Sequence, residues 1–488
     1  MARAGISTHA RACSHRMRRW STVLGFASLA GSLLLGCTPT ESRGSKAKVR
    51  AVTGLETPPP PDDSECATDP IPKSRAPNVR PEHESAAYWL AKLDPEARDA
   101  PLLDAEARKF LRERVAALPG GWRDPLGDAV CDPKLVNAEL DERLEWLRRQ
   151  VAAHNYVELV PGMLERAAAR IKASTVPPKP NVHFVARETP LWCVPSNQGL
   201  FTTPVDRKFD RNRCASLHPG EYVRALRRTA DGEWTYVDAG HSVGWIHAAA
   251  TVLGPGLSTK AVRERLAGPR VFLTDDYKDL RLGSSFPRVP SKDPDGKTIT
   301  IRVPGIDGPV ERSLPADAPI SAASLPLTRR KLFEHAFSLL EQPYGWGGIG
   351  GKRDCSRYLL DLFALFDVRL ARNSGVQAKL GTRSIDLSQV DEQGKRAAIR
   401  EAAKQGVVLL YMSGHIMLYL GSDRVDGRVY DYGISALSEY LEPCPGGPDT
   451  VCKLDKVAVT TLELGRDTKR HAFIERINRM AIFGPIPD

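Results

Sequence analysis

The sequence predicts a multidomain α+β protein with a helical N-terminal region, two small β-barrels and a C-terminal α+β domain. Three observations carry this reading. The 488 residues make room for roughly three domains at about 150 residues each. A composition of 42% apolar and 26% charged residues is that of ordinary globular protein, which excludes a wholly disordered chain. The hydrophobic pattern also changes period along the chain, from helical spacing to short strand-like runs and then to a mixture of the two.

Residues 1–36 read as an address. Arg16, Arg18 and Arg19 precede an apolar run from Val23 to Leu35, the charged-then-apolar order of an export signal and too short to span a bilayer. The run ends in Leu34-Leu35-Gly36-Cys37, which resembles the bacterial lipobox. That resemblance implies a lipoprotein signal peptide over 1–36, with Cys37 acylated as the first mature residue and serving as the membrane anchor. Thr38 in the next position implies, by the sorting habit of such lipoproteins, the outer membrane and its periplasmic face. Residues 37–83 are polar and punctuated by Pro39, Pro58, Pro59, Pro60, Pro61, Pro70 and Pro72, and read as a flexible tether. The formal charge is +10, and loss of Arg3, Arg11, Arg16, Arg18 and Arg19 with the signal leaves 10 − 5 = +5. With no basic run interleaved with aromatics, so mild a surplus excludes a nucleic-acid binder.

The elements follow in order. Over 84–178, Ala86 to Leu93, Glu106 to Leu118, Val136 to Ala153 and Tyr156 to Ile171 carry apolar residues at i, i+3, i+4 spacing and are expected to be helices. Over 179–256, Asn181 to Ala186, Tyr222 to Arg227, Trp234 to Asp238 and Val243 to His247 are strand-like runs, with Asp231-Gly232 as a turn between two of them. Residues 257–325 repeat this texture in Arg270 to Thr274 and Thr298 to Val303, which suggests a second small barrel. Over 326–488 the pattern predicts helices at Thr328 to Glu341 and Ser356 to Asp367, and strands at Val407 to Tyr411 and Ile416 to Gly421.

Nine cysteines are present. Cys13 leaves with the signal, Cys37 is spoken for by the anchor, and Cys355 has a separate role below. The remaining six, Cys66, Cys131, Cys193, Cys214, Cys444 and Cys452, are disulfide candidates in an oxidising compartment. Closeness in sequence suggests Cys193 with Cys214 and Cys444 with Cys452, leaving Cys66 with Cys131, although other pairings are open. No CxxC pair and no His/Cys cluster at ligand spacing occurs, so neither a metal nor another cofactor is expected.

The chemistry concentrates in Tyr344-Gly345-Trp346-Gly347-Gly348-Ile349-Gly350-Gly351-Lys352-Arg353-Asp354-Cys355-Ser356. This glycine-rich segment delivers a cysteine to the first turn of an amphipathic helix bearing Leu359, Leu360, Leu362, Phe363 and Phe366. A helix N-terminus offers unpaired amides and partial positive charge, which favour a thiolate and supply donors for an oxyanion. A nucleophile also needs a base. His415 opens the second strand of a strand–turn–strand pattern from Val407 to Gly421 and is the best candidate. Either residue alone reads as a buried inert thiol or a turn histidine, but together they point to nucleophilic catalysis.

These segments, with Thr328-Arg329-Arg330, Gln342-Pro343, Arg372-Asn373-Ser374, Gln377 and Gly414-His415-Ile416, resemble the NlpC-type papain-like cysteine peptidases of bacterial cell-wall metabolism. Phe209-Asp210, Ser216-Leu217-His218-Pro219-Gly220 and Val243-Gly244-Trp245-Ile246 resemble the first bacterial SH3-like domain of the subgroup that has two such domains before the peptidase. The resemblance implies two SH3-like barrels at 179–256 and 257–325, a papain-like domain at 326–488, and hydrolysis of the γ-D-glutamyl-diamino acid bond of peptidoglycan stem peptides. It implies Cys355 as nucleophile, His415 as general base, Asp354, Ser356 and Ser374 as contacts to a free L-alanine amine, and Tyr344 beside the oxyanion site. Stem peptides are then the partner, the chain works as a monomer, and it is a cell-envelope enzyme.

Two positions depart from the family pattern. A histidine expected some 12 to 16 positions after His415 to orient its ring is missing, and Asp431 is the candidate substitute. Arg357 stands where relatives carry glycine, which bears on the substrate groove. The missing histidine motivates a second reading, an inactive peptidoglycan-binding lipoprotein scaffold. An amidase or acyltransferase on the same papain-like fold is a third.

Overall fold

The computed structural model describes residues 66–486 apart from 180, 291, 292 and 294. The export signal, Cys37 and most of the expected tether lie outside the described residues. Residues 66–83, read from sequence as the end of the tether, are packed. Ile71–Pro72 (β1) pairs in parallel with a strand of the C-terminal domain, Ala76 and Val79 enter the core, and Cys66 is bonded to Cys444.

The helical region does not form a unit of its own. Ala86–Ala91 (α1), Pro95–Asp99 (α2) and Ala105–Ala117 (α3) lie on the C-terminal domain. Their buried Trp89, Leu90, Ala107, Leu111 and Val115 belong to the same apolar cluster as Leu332, Phe363 and Leu418. The helices Pro133–Ala152 (α4) and Met163–Lys172 (α5) instead cover the first barrel. Val136, Leu140, Leu144 and Leu147 make one stripe along α4, the first two packing on Trp234 and Trp245 and the last two on Val194 and Leu200. Asp104 and Asp132 cap α3 and α4 by accepting from backbone amides, each worth about 1 kcal/mol. The helix expected from Tyr156 begins later, at Met163, because Pro161 and Gly162 interrupt it and Val157–Glu158 pairs with Leu200–Phe201.

The first barrel is a six-stranded sheet in which Tyr222–Arg228, Trp234–Asp238 and Val243–His247 run antiparallel in sequence order. Thr189–Trp192 and Arg213–Leu217 join it, and Cys193–Cys214 ties their ends as expected. After Thr259–Ala267 (α6), a five-stranded sheet contains Arg270–Leu273, Ser285–Val289 and Thr298–Val303 around Phe286 and Ile301.

The C-terminal domain holds the helices Arg329–Ser338 (α7), Cys355–Ala364 (α8), Ser374–Gln377 (α9), Glu392–Gln405 (α10) and Phe473–Arg476 (α11). Its strands are Arg383–Asp386 (β2), Val407–Met412 (β3), His415–Val425 (β4), Arg428–Glu442 (β5), Thr450–Thr461 (β6) and Arg479–Phe483 (β7). The sheet order is β1-β6-β5-β4-β3-β7-β2, antiparallel except for the β1–β6 pair. Helix α8 packs on β4 and β5.

Two of the three expected disulfides are corrected by this topology. The register of β5 with β6 sets Cys452 opposite Tyr440, inside the ladder, while Cys444 lies in the turn beyond it. Cys444 therefore meets the incoming chain at Cys66, and Cys452 is a free, buried thiol. Cys131 is also free, its sulfur accepting from Arg224 Nε at 3.0 Å.

Candidate active site

The glycine-rich segment turns the chain into α8 through left-handed backbone at Gly347, Gly348, Gly350 and Gly351, with φ between 62° and 81°. Such angles are accessible to glycine at little cost. Close approach matters as well, since a Cβ on Gly348 would lie 1.8 Å from Ser216 Oγ of the first barrel. The barrel also walls the site through its 206–212 loop. Phe209 faces Tyr344 and Trp346, with ring centroids 6.1 and 5.8 Å apart, and Trp346 Nε1 donates to the Asp210 carbonyl at 2.9 Å.

Cys355 is the first residue of α8 and is 8% exposed. The backbone amide of Ile416 acts on its sulfur against the effect of burial, which sets Cys355 near His415, the first residue of β4. Burial pushes the Cys355 thiol up to about 12, helped by the Asp354 charge. Burial, with Arg476 second, holds the His415 imidazole down at about 4, against the pull of Asp354. Both shifts favour neutral forms, so the resting pair is thiol and imidazole, and the proton moves as the sulfur attacks. A flat pH profile of kcat/KM from about pH 5 to pH 9 is the expected outcome. A bell with a basic limb near neutrality would instead indicate a preformed thiolate–imidazolium pair.

The same shift has a stability consequence. Between pH 6.5 and about 4 the unfolded chain binds a proton at His415 that the folded chain refuses, so stability falls as the pH drops through that window. At 1.36 kcal/mol per unit the loss is about 3 kcal/mol. His218, fully buried, is lowered as well, chiefly by burial and then by Arg357, and adds to the acid lability. Denaturant unfolding at pH 7 and pH 5 checks this, and His415→Ala should flatten the difference.

The side chain beside the His415 ring is Ser435. His415 Nε2 lies 3.1 Å from Ser435 Oγ, while its ring packs on Phe473 at 5.6 Å. The sequence candidate, Asp431, is elsewhere. Its carboxylate accepts from Arg396 at 2.8 Å, from Arg400 at 2.9 Å and from the Tyr419 hydroxyl at 2.8 Å. The reason is hairpin length, because β4 runs to Val425 and turns at Asp426-Gly427. Asp431 thus pairs with Ser422, far along the strand from His415, and Ser435 comes alongside. The Asp-Gly turn was the available signal, since a two-residue hairpin loop fixes the register. Ser435→Ala is expected to cost about tenfold in kcat, one hydrogen bond's worth, with KM unchanged. Asp431→Ala should lower stability and leave the pH profile alone.

Asp354 is held at both carboxylate oxygens. It caps α8, Oδ1 accepting from the Arg357 amide at 2.9 Å and the Ser356 hydroxyl at 3.2 Å. Oδ2 accepts from the Gly347 amide at 3.0 Å and from an Arg372 guanidinium N–H. Four donors fill the four acceptor positions of the carboxylate in the unliganded chain. Arg372 also donates to Ser356 Oγ at 2.6 Å. Despite the desolvation of its site, Asp354 is held below the usual carboxylate range by Arg372 and its other donors. Sequence reasoning noticed Arg372 without giving it a role, because its partner is a tertiary neighbour. Ser374 heads α9, half-buried, and this segment is tied to the first turn of α8 by Gln377, which donates to the Ser356 carbonyl at 2.9 Å. Tyr344 is raised chiefly by burial and next by the Asp354 charge.

Arg357 does not enter the groove. It is 2% exposed and binds Asp361 at 2.6 Å, Glu221 at 2.8 Å and the Ser216 carbonyl at 3.0 Å, clamping α8 to the first barrel. Two other guanidinium groups flank the pair. Arg211 stacks over Trp346 at 4.3 Å, and Arg476 stands by Phe473 at 5.8 Å. Neither is paired with a carboxylate among the described residues. Nor do the described residues hold a group of three or more His, Cys, Asp or Glu able to bind a metal ion.

With Cys355 at a helix N-terminus and His415 at the start of an antiparallel strand, residues 341–428 match the family model described as NlpC/P60 family. The chain carries an NlpC/P60 domain. Residues 200–247 match the SH3 domain of SH3b1 type, the barrel that walls the site. The fold is similar to that of an NlpC/P60 endopeptidase from Photobacterium damselae subsp. piscicida, with a TM-score of 0.66, 12% identity and coverage of 86% of this chain and 100% of that one. A protein of the NlpC/P60 family from Bacillus cereus aligns at 15% identity over 62% of this chain and 100% of its own, with a TM-score of 0.41. No curated protein matches the chain. The family matched over 341–428 is one of cysteine peptidases.

Proposed function

We propose that the protein is a cell-wall cysteine endopeptidase that hydrolyses the γ-D-glutamyl-diamino acid bond of peptidoglycan stem peptides. The observation that carries this reading is Cys355 at the N-terminus of α8, near the start of β4 where His415 stands with its Nε2 beside Ser435 Oγ. In the first half-reaction His415 takes the thiol proton as the Cys355 sulfur attacks the carbonyl. The oxyanion develops beside the amide donors of the α8 N-terminus and the Tyr344 hydroxyl. His415 then returns the proton to the leaving amine, and water, deprotonated by the same imidazole, releases the acyl group from sulfur. In this reading the protein acts as a monomer anchored through Cys37 at the outer membrane.

The electrostatics favour substrates recognised through carboxylates. Stem peptides carry the free α-carboxylate of γ-linked glutamate and the carboxylates of the diamino acid. Arg211 and Arg476 are the unpaired cations that would meet them. A free L-alanine amine, by contrast, would have to displace a donor from Asp354. Incubation with L-Ala-γ-D-Glu-diaminopimelate and with its N-acetyl form, followed by mass spectrometry, tests this. Release of diaminopimelate from both, at rates within about tenfold, is expected. Cleavage of neither by folded protein would contradict the reading and favour the scaffold alternative.

A further inference from the structure

A second feature of the chain lies outside the peptidase site. Between the first barrel and the second sheet a cleft of about 520 Å³ opens, lined by Arg265, Arg270, Arg288 and Arg302 against a single carboxylate, Glu264. Its apolar surface comes from Phe184 and Phe286, and five further lining residues are prolines, which make the walls rigid. That volume is within the range of small-ligand sites and suits a peptide of a few residues.

The cations are not neutralised from within. Arg270 is half-buried and spends its donors on Ser285, at 2.6 Å to the carbonyl and 3.1 Å to the hydroxyl, and on the Arg265 carbonyl at 3.3 Å, with no carboxylate partner. Arg265 stacks near Phe184 at 6.0 Å, Arg288 is exposed, and only Arg302 reaches an acid, Glu311 at 3.5 Å. Desolvating a guanidinium without a counter-ion is costly, and an anion from outside would relieve it. The sheet register also spaces the charges. Arg270 lies opposite Pro287, and Arg302 adjoins Pro287 one step beyond the Arg288–Ile301 pair. Arg270 and Arg302 are therefore two strands apart, roughly 10 Å, a span that the side chains of one short acidic peptide can bridge.

We infer that this cleft is a binding site for a short acidic peptide segment. The inference goes beyond the peptidase reading and does not depend on it. The test is calorimetric titration of the Cys355→Ala protein with acetyl-Glu-Ala-Ala-Glu-amide and with its Gln-Ala-Ala-Gln counterpart, at low and at raised salt. The acidic peptide should bind at least about tenfold more tightly, weaken with salt, and lose about tenfold on Arg288→Glu/Arg302→Glu. Those two residues are exposed, so the variant should keep its fold by circular dichroism. With Cys355 intact, the same double variant should hydrolyse a stem peptide at an unchanged rate. Equal binding of the two peptides, or binding that survives the double reversal, would overturn the proposal, the latter by placing the peptide elsewhere.

Discussion

His415→Ala is expected to lower kcat/KM for a stem peptide by roughly 1,000-fold to 10,000-fold, the range for loss of a general base that also serves as the acid. The imidazole has no understudy. His218 and His241 are buried behind the site around Glu221, with His241 Nε2 3.5 Å from that carboxylate. Cys355→Ala should cost at least as much, and the double variant little more than the worse single one, because the two act as a unit. Single and double variants assayed against one peptide measure this. A His415→Ala protein that kept a tenth of its activity would contradict the proton path.

Arg353→Ala is expected to destabilise the protein by about 3–5 kcal/mol, the usual penalty for removing one partner of a buried ion pair. Arg353 is 2% exposed. It donates to Asp276 at 2.7 and 2.8 Å, to Asp361 at 2.8 Å and to Gln342 at 2.7 Å, tying the second barrel to the segment that carries Cys355. Asp276 resists the desolvation of its site and is held down at about 2, chiefly by the Arg353 guanidinium. That stabilisation is present above an unfolded value near 3.8 and is lost as pH falls toward about 2, so the variant's penalty should shrink in acid. Denaturant unfolding at pH 7 and pH 3 checks both statements. Arg353→Lys should recover only part of the loss, since an ammonium cannot span three partners as a planar fork does. An unchanged midpoint for Arg353→Ala would show the network contributes nothing.

Local signals in the sequence were reliable where the cause was local. Trp234–Asp238, Val243–His247 and Thr298–Val303 are strands at their expected limits, because alternation and flanking turns define them. Cys355 and His415 were legible because each sits at an element terminus that its neighbours announce. What escaped depends on register and distance. Ser435 is found only by counting through a hairpin whose strands run longer than the apolar run suggests. Arg372 matters through Asp354, 18 positions away in sequence. The Cys66–Cys444 bond joins residues 378 positions apart, and no spacing rule reaches that far. The helices of 84–178 were recognised one by one, but their division between two cores follows from which apolar stripe meets which domain.

The central claim is that Cys355 becomes acylated by the substrate and that His415 moves the proton. Mass spectrometry of the intact protein, quenched in acid within the first turnover of L-Ala-γ-D-Glu-diaminopimelate, tests it most directly. The account predicts a transient adduct equal in mass to L-Ala-D-Glu less one water, located on the Cys355 peptide and absent from Cys355→Ala. Cleavage by Cys355→Ala at the native rate, or an adduct on another residue, would contradict it.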